Sequence, residues 1–564
     1  MKTKPTLRSA TRAVKTLLLS SILVTLFLFA SCKDKAKTQE NDKDIILATP
    51  EVSQKVHVAF AGGGWRAHTG HSAWTIGLLE NGTYSLNNVF ANVGTMSSNS
   101  GGSWFSTMLM YSSDFVSDIE AKDASTTWAT SSGWIGKQRK LFDAAPCGSE
   151  PEGIYLECVF DYYTNKSYTG GTYWKLMVEN LVFKSYPLGS TTLGDPHQSW
   201  AANKPLLLAS TLLTNTVVLN SEDNVTNNHR YYQACLAPSE PQLNGDSGSN
   251  CTDGRPADVT PATFSSIPSG SSYQPSPFFA ELGTNTQSCT FNLGYTADYV
   301  VESAPKFTEP LKLPLKDSSV PVMTAAAASS AAAGFGASEH ITGAFDLSYL
   351  FQDNAVSFGM SGGSVDYVDT EGLDLQTLSN QKVVRLADGG AADNSGVAQL
   401  VRSLQLNNQA DGFNIVAFDN VSDITVITGA ANVGVDIASL FGYKDPLCVD
   451  LKLIEYCITT PDLQIFEATP LTSTNHTWAY TPSANQLVYT QYAVTTKANP
   501  ALGIAGGTKG TLHSFTCSYP KALTAPIDGD TNFDGYANMF TFINNGLNAN
   551  NGEGLKYLRT ALGL

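Results

Sequence analysis

The sequence predicts an α/β protein with a central sheet flanked by helices, and three stretches carry that reading. In the first, a short β-branched apolar segment, Val56-His57-Val58-Ala59-Phe60-Ala61, runs into Gly62-Gly63-Gly64 and then into a helical run ending at Leu79. In the second, Val89-Phe90-Ala91-Asn92-Val93-Gly94 leads to Ser98-Asn99-Ser100-Gly101-Gly102-Ser103-Trp104 and a helix over 105–111. The third has strand–helix–strand order. A strand over 382–387 ends in Asp388-Gly389-Gly390, a helix over 396–406 puts Val397, Leu400, Val401 and Leu404 on one face, and a strand covers 413–419.

Two of these units place unusual chemistry at a strand-to-helix turn. Ser100 stands between small residues, which permit strained backbone and close substrate approach. The new helix offers free N–H groups and positive dipole beside its hydroxyl. The neighbouring glycine turn can aim further N–H groups at one spot, as an oxyanion hole requires. A glycine run after a strand also opens nucleotide-binding loops, so the local motif leaves both chemistries open.

The longer pattern narrows the choice. Gly62-Gly63-Gly64-Trp65-Arg66-Ala67, followed by Ser100-Gly101-Gly102-Ser103-Trp104, resembles the catalytic domain of the group IV cytosolic phospholipase A2 and fungal lysophospholipase family, a relative of the patatins. That family shows Gly-Gly-Gly-x-Arg-Ala and then Gly-x-Ser-Gly-Ser-Thr-Trp. Trp104 favours this branch over true patatins, whereas the family's leading Gly falls on Ser98 here. The Asp388-Gly389-Gly390 block, and the strand Phe418-Asp419-Asn420-Val421-Ser422, resemble the family's later Asp-Gly and Phe-Asp-x-Ser blocks.

The resemblance implies a mixed sheet in a three-layer core, with long loop-rich insertions forming a cap or lid. It also implies a Ser–Asp dyad acting on phospholipid or lysophospholipid esters. Ser100 would attack the carbonyl, and Asp388 would take its proton and later activate water. Gly63, Gly64 and Gly101 would supply the oxyanion N–H groups, and Arg66 would contact the substrate phosphate. Bland readings stand beside these roles: Asp388 as a turn aspartate before two glycines, and Arg66 as a structural ion pair. At the level of function, the alternatives are a broader lipid esterase or acyltransferase, and an inert surface lipoprotein that binds lipid or glycan. No cofactor is expected.

Upstream of this unit, Lys2, Lys4, Arg8, Arg12 and Lys15 precede an apolar run over 17–30 that is too short for a comfortable membrane span. Ala30-Ser31-Cys32 resembles a bacterial lipobox, with Phe29 in place of the usual Leu. Residues 1–31 therefore read as a lipoprotein signal peptide and Cys32 as the lipidated, membrane-anchoring residue. An ordinary signal peptide, giving a secreted protein, or an uncleaved anchor are the alternatives. Residues 32–51 read as a flexible tether, and 52–564 as one catalytic domain, with about 112–320 as the insertion or cap region. The net charge of −16 falls to about −21 once the five basic residues of 1–31 are removed, which argues against nucleic acid or anionic bilayers as electrostatic partners.

Eight cysteines remain beyond Cys32, an even number that suggests disulfides in an exported chain, with Cys147/Cys158 and Cys448/Cys457 as local pairs. None has zinc spacing, so no metal site is expected through them. Residues 237–277, dense in Pro, Ser, Gly and Asp, read as an irregular surface insertion, and the Ala/Ser run over 324–333 as a closely packed helix without chemistry. Gly359-Met360-Ser361-Gly362-Gly363 fits Gly-x-Ser-x-Gly literally, but the alternating run after it is strand-like rather than helical, which argues against Ser361. Asp530, Asn532, Asp534 and Gly535 imitate a calcium loop whose twelfth position is Thr541, so a plain turn is preferred, with a closing helix around 555–562. None of the eight histidines lies in a motif that suggests a triad base, and His68 and His71, close to Arg66, are the two that bear watching.

Overall fold

The computed structural model describes residues 55–80, 82–144, 173–213, 216–220, 232–234, 259–269, 271–273, 290–291, 299–302, 320–331, 356–361, 364–367, 383–421, 425–426, 432–443, 447–450, 455–458, 463–467, 476–499, 502–522 and 529–564. The signal peptide, Cys32, the tether, and Cys147, Cys158, Cys235, Cys251 and Cys289 lie outside them.

The chain builds one eleven-stranded mixed sheet with helices packed on it. Its strands are β1 (Val56–Phe60), β2 (Val93–Asn99), β3 (Leu206–Leu213), β4 (Val259–Ser266), β5 (Val356–Ser361), β6 (Ser364–Tyr367), β7 (Val383–Asp388), β8 (Phe413–Val421), β9 (His476–Tyr480), β10 (Gln486–Thr495) and β11 (Lys509–Ser518). The principal helices are α1 (Gly64–Leu79), α2 (Gly101–Tyr111), α3 (Trp134–Ala144), α4 (Val322–Ser329), α5 (Gly390–Asp393), α6 (Val397–Leu406), α7 (Val435–Ser439) and α8 (Gly529–Ala561, two helices broken by non-helical backbone at Ala549, Asn550, Asn551 and Gly552). The sheet order is β6-β5-β7-β3-β2-β1-β8-β11-β10-β9, with β4 also paired to β3. The run β3-β2-β1-β8-β11 is parallel, and the flanking pairs are antiparallel.

Both faces of this sheet are covered. Val56, Val58 and Phe60 of β1 join a core with α1, α2 and α8, while Ala59 turns the other way toward α6. The same alternation sends Val416 and Phe418 of β8 to the first core and Ile415 and Ala417 to the second. Helix α1 is buried along its whole length, which demands small residues where neighbours cross it. A Cβ on Gly70 would overlap the Asn420 side chain, and one on Gly77 would meet Leu547 of α8.

The strand β3 decides where the site forms. One of its edges is paired along its length by β4. The other edge is shared: Met96–Asn99 of β2 pair with Leu206–Ala209, and Leu386–Asp388 of β7 pair with Leu212–Ser210. Because β2 is parallel to β3 and β7 antiparallel, the two strands point at each other and their C-terminal ends meet. Asn99 stands opposite Ala209, and Asp388 opposite the next residue, Ser210.

Several sequence expectations shift. The second strand covers Val93–Asn99 rather than 89–94, and Leu86–Val89 is a short helix. Its polar serines hid it; each is satisfied inside the protein, Ser97 by Gly396 O and Ser98 by the Ser106 hydroxyl at 2.7 Å. The region 112–320 supplies β3 and β4 to the sheet, and β4 falls within the stretch 237–277 read as a surface insertion. It also contains helices at Ser113–Ile119, Trp134–Ala144 and Tyr173–Leu181, where few were expected. The acidic stretch at 530–535 is the first turns of α8, neither a turn nor a calcium loop, and Asp534 pairs with Arg139 of α3 at 2.7 Å. Cys517 is a buried free thiol on β11, so the even disulfide count does not hold. Cys448 and Cys457 stand opposite each other in an antiparallel strand pair.

Candidate active site

Ser100 occupies the turn between β2 and α2 with φ 49° and ψ −123°. A side-chain-bearing residue in that region costs about 1–3 kcal/mol, and such strain is held only by surrounding contacts. Here the Ser100 N–H is held by the backbone carbonyl and the hydroxyl of Ser329, at 3.1 and 3.2 Å. Glycines remove the other obstacles: a Cβ on Gly102 would run into the carbonyls of Phe60 and Ala61 at the end of β1.

The β2/β7 junction brings Ser100 and Asp388 together across 288 residues of chain. The Ser100 Oγ donates to Asp388 Oδ2 at 2.7 Å, and both residues are almost fully buried. The other carboxylate oxygen, Oδ1, accepts from the Gly390 N–H at 2.7 Å and from Asn99 Nδ2 at 3.3 Å. Burial raises the Asp388 pKa to about 6 against the pull of these three donors, which favour the ionised form. The carboxyl is thus more basic than an exposed aspartate yet ionised at neutral pH.

The glycine turn faces the same serine. A Cβ on Gly62 would lie 3.0 Å from Ser100 Cβ, and one on Gly101 would overlap the Gly64 backbone. Gly63 and Gly64 take φ of 127° and 56°, values that suit glycine. Gly63 caps α1, Gly64 opens it and Gly101 opens α2, so their N–H groups have no intrahelical acceptor. None of the three donates a hydrogen bond among the described residues. Two tryptophans lock the two turns together. Trp65 and Trp104 meet edge to face at 4.8 Å, Trp65 donates to Gln138 and Trp104 to Ser330.

Arg66 lies under the glycine turn, almost fully buried. Its Nε donates to the Asn420 carbonyl at 2.9 Å. Burial pulls its pKa down, while Asp436 and Asp419 are among the charges that hold it up. His71 bonds the Ala61 carbonyl at 2.8 Å and the Asn420 side chain at 3.1 Å; burial lowers its pKa to about 4, so it is neutral. His68 stacks on Trp134 and lies 3.5 Å from Met108 Sδ. Neither histidine bonds Ser100 or Asp388. Ser361 ends β5 and pairs with Ser364 of β6, a strand pair with no helix after the serine.

Sequence reasoning missed the contribution of α4. Its C-terminal end holds both turns: the Ser329 carbonyl accepts from the N–H groups of Ser100 and Gly389, and the Ala331 carbonyl from that of Asp388. The Ser329 hydroxyl also meets Ser103 Oγ at 2.7 Å. An Ala/Ser-rich helix signals close packing, but nothing in its composition says what it packs against. Asn99 and Asn394 were missed as well: Asn99 holds the unspecified position before Ser100, and Asn394 lies outside the motif blocks.

Among the described residues no group of three or more His, Cys, Asp and Glu could hold a metal ion, and no helix is long and apolar enough to cross a membrane. Compared with known proteins, the chain matches no family model and no curated protein.

Proposed function

We propose that the protein is a serine acyl-ester hydrolase of the phospholipase A or lysophospholipase type, working through Ser100 and Asp388. The observation that carries this reading is the 2.7 Å Ser100–Asp388 hydrogen bond beside unpaired N–H groups of two helix starts. The motif resemblance adds the substrate class. In the first half-reaction Ser100 Oγ bonds to the ester carbonyl carbon as its proton passes to Asp388. The carbonyl oxygen becomes an oxyanion facing the N–H groups of Gly63, Gly64 and Gly101. Collapse breaks the bond to the leaving alcohol oxygen, which takes the proton from Asp388 and leaves an acyl-serine. Water then attacks as its proton passes to Asp388, and collapse breaks the acyl–Oγ bond, with Asp388 returning the proton to Ser100 Oγ as the fatty acid departs.

The test is labelling by a fluorophosphonate probe together with a product assay, on wild type, Ser100→Ala and Ser361→Ala in parallel. Wild type and Ser361→Ala should be labelled and release fatty acid, and Ser100→Ala should do neither. An unlabelled wild type would mean an inert, ligand-binding lipoprotein instead.

A base with a pKa raised to about 6 gives a definite pH profile. Asp388 must be ionised to take the proton, so kcat/KM should climb with pH through about 6 and level off above it. It should drop about tenfold per pH unit on the acid side. A midpoint near 4, as for an exposed aspartate, would contradict a buried base.

A second reading, a broader lipid esterase or acyltransferase without phosphate preference, is favoured by the burial of Arg66 against Asn420 and its acidic neighbours. Comparing Arg66→Ala on phospholipid and on a short-chain ester separates the two. A phosphate contact would lower phospholipid turnover at least about tenfold more than ester turnover, whereas a structural role would lower both equally.

A further inference from the structure

Asp388 is the end of a chain of side-chain hydrogen bonds that runs away from the serine. Asn99 Nδ2 donates to Asp388 Oδ1 at 3.3 Å and to Asn394 Oδ1 at 2.8 Å. Asn394 Nδ2 donates in turn to Asp436 Oδ2 at 2.7 Å. Each amide can be oriented in one sense alone. Turning Asn99 over would set its oxygen against the Asp388 and Asn394 oxygens, and turning Asn394 over would set oxygen against the Asp436 carboxylate. The amide oxygen of Asn99 is buried without a partner among the described residues and faces Gly389, where a Cβ would overlap it. A buried oxygen left unbonded costs about 1–3 kcal/mol, so the orientation is imposed by the NH2 end. The Asn394 backbone joins in, as its carbonyl accepts the Gly62 N–H at 2.9 Å and ties this chain to the glycine turn.

We propose that Asn99, Asn394 and Asp436 are positioning residues that aim and tune the catalytic carboxylate. Asp436 orients Asn394, Asn394 orients Asn99, and Asn99 together with the Gly390 N–H occupies Asp388 Oδ1, leaving Oδ2 to face Ser100. This inference rests on Asp388 acting as the base. It goes beyond the motif, in which the residue before the serine is unspecified.

The network also answers an electrostatic conflict. A buried carboxylate is pushed toward its neutral form, in which it cannot accept a proton; amide donors restore ionisation without adding a positive charge that would suppress basicity. At the far end of the hydrogen-bond chain Asp436 of α7 feels Asp393 of α5, Asp419 of β8 and Arg66 of α1. Asp436 is the one of these that raises the Asp388 pKa directly. The neighbouring β3, β5, α2 and α4 have no charged residue in their sequences.

The signs of the variants follow. Asn99→Leu removes a donor to the ionised form and should move the midpoint of the pH profile upward by about half to one unit, about a two- to fivefold slower reaction at pH 6. Asn394→Leu frees the Asn99 amide and should move it the same way by less. Asp436→Asn keeps an acceptor for Asn394 but removes a negative charge, and should move the midpoint downward. The measurement is the rate of Ser100 labelling by a fluorophosphonate between pH 4.5 and 8 (a range of about 3.5 units that brackets the expected midpoint), on folded variants checked by melting temperature. Asn99→Ala replaces Asn99→Leu if the larger side chain prevents folding. A purely structural role would lower melting temperature or rate while leaving the midpoint in place, and that result, or shifts of one sign in all variants, overturns the proposal. If wild type is labelled but the midpoints stay fixed, this inference alone fails. If wild type is not labelled at Ser100, the hydrolase reading fails with it.

Discussion

Ser100→Ala should lower ester hydrolysis by about 10⁴-fold or more, and Asp388→Asn should fall to nearly the same floor, with the double variant no lower than either. The reason is the geometry of the proposed Ser100–Asp388 dyad. Among the described residues the Ser100 hydroxyl has one acceptor for its proton, Asp388 Oδ2 at 2.7 Å, and neither neighbouring histidine reaches it. Asparagine fills the same space and keeps an oxygen for the Gly390 N–H, but it cannot take a proton. A histidine-based triad would behave differently: His71→Ala would then match Ser100→Ala. Because His71 bonds Ala61 and Asn420 instead, its removal should cost stability while much of the activity survives. Single-turnover kinetics on the four variants, with Ser361→Ala as the unaffected control, measure all of this. Additive losses in the double variant would show that the two residues do not act as a unit.

Much of this arrangement was legible in the chain because backbone constraints leave marks in residue type. Gly62-Gly63-Gly64 announces positive φ and close approach, and two of its three residues do take positive φ. Val397, Leu400, Val401 and Leu404 announce a buried helix face, and all four are buried in α6. What stayed hidden had no local signature. The strand β2 is written in glycine, threonine and serine, residues that read as loop unless their partners 100 or more residues away are known; Ser98 and Ser97 pair with Leu208 and Leu207. β3 is a leucine-rich run and β4 carries a proline, and both are set in a sequence whose Pro, Ser, Gly and Asp read as loop. Strand β3 explains why two motifs 288 residues apart converge, and no periodicity could show that β2 and β7 share one of its edges. Arg66 illustrates the opposite hazard. A motif residue with phosphate chemistry in one context is here buried beneath the glycine turn, bonded to Asn420 O and surrounded by carboxylates.

The oxyanion site makes the other large prediction. Gly101→Ala should lower kcat by about 10²–10³-fold with KM little changed, although alanine is a better helix former than glycine. Gly101 is the first residue of α2, where an added methyl would normally stabilise the helix. Here its Cβ would overlap Gly64 O and sit 2.6 Å from Gly64 N and 2.7 Å from Gly64 C, all of them backbone atoms. Backbone cannot swing aside like a flexible side chain, so the two turns must separate. The displaced groups are the N–H donors proposed to face the developing negative charge, and a shift of about 1 Å in such donors is enough to cost about 10²-fold. Ser100 and Asp388 keep their contact, since neither is touched by the methyl, so the nucleophile stays armed while transition-state stabilisation is lost. Steady-state kinetics and fluorophosphonate labelling should therefore fall together, with the circular dichroism spectrum and the pH midpoint unchanged. Near-normal turnover in Gly101→Ala would mean that the negative charge develops somewhere other than between these two helix starts.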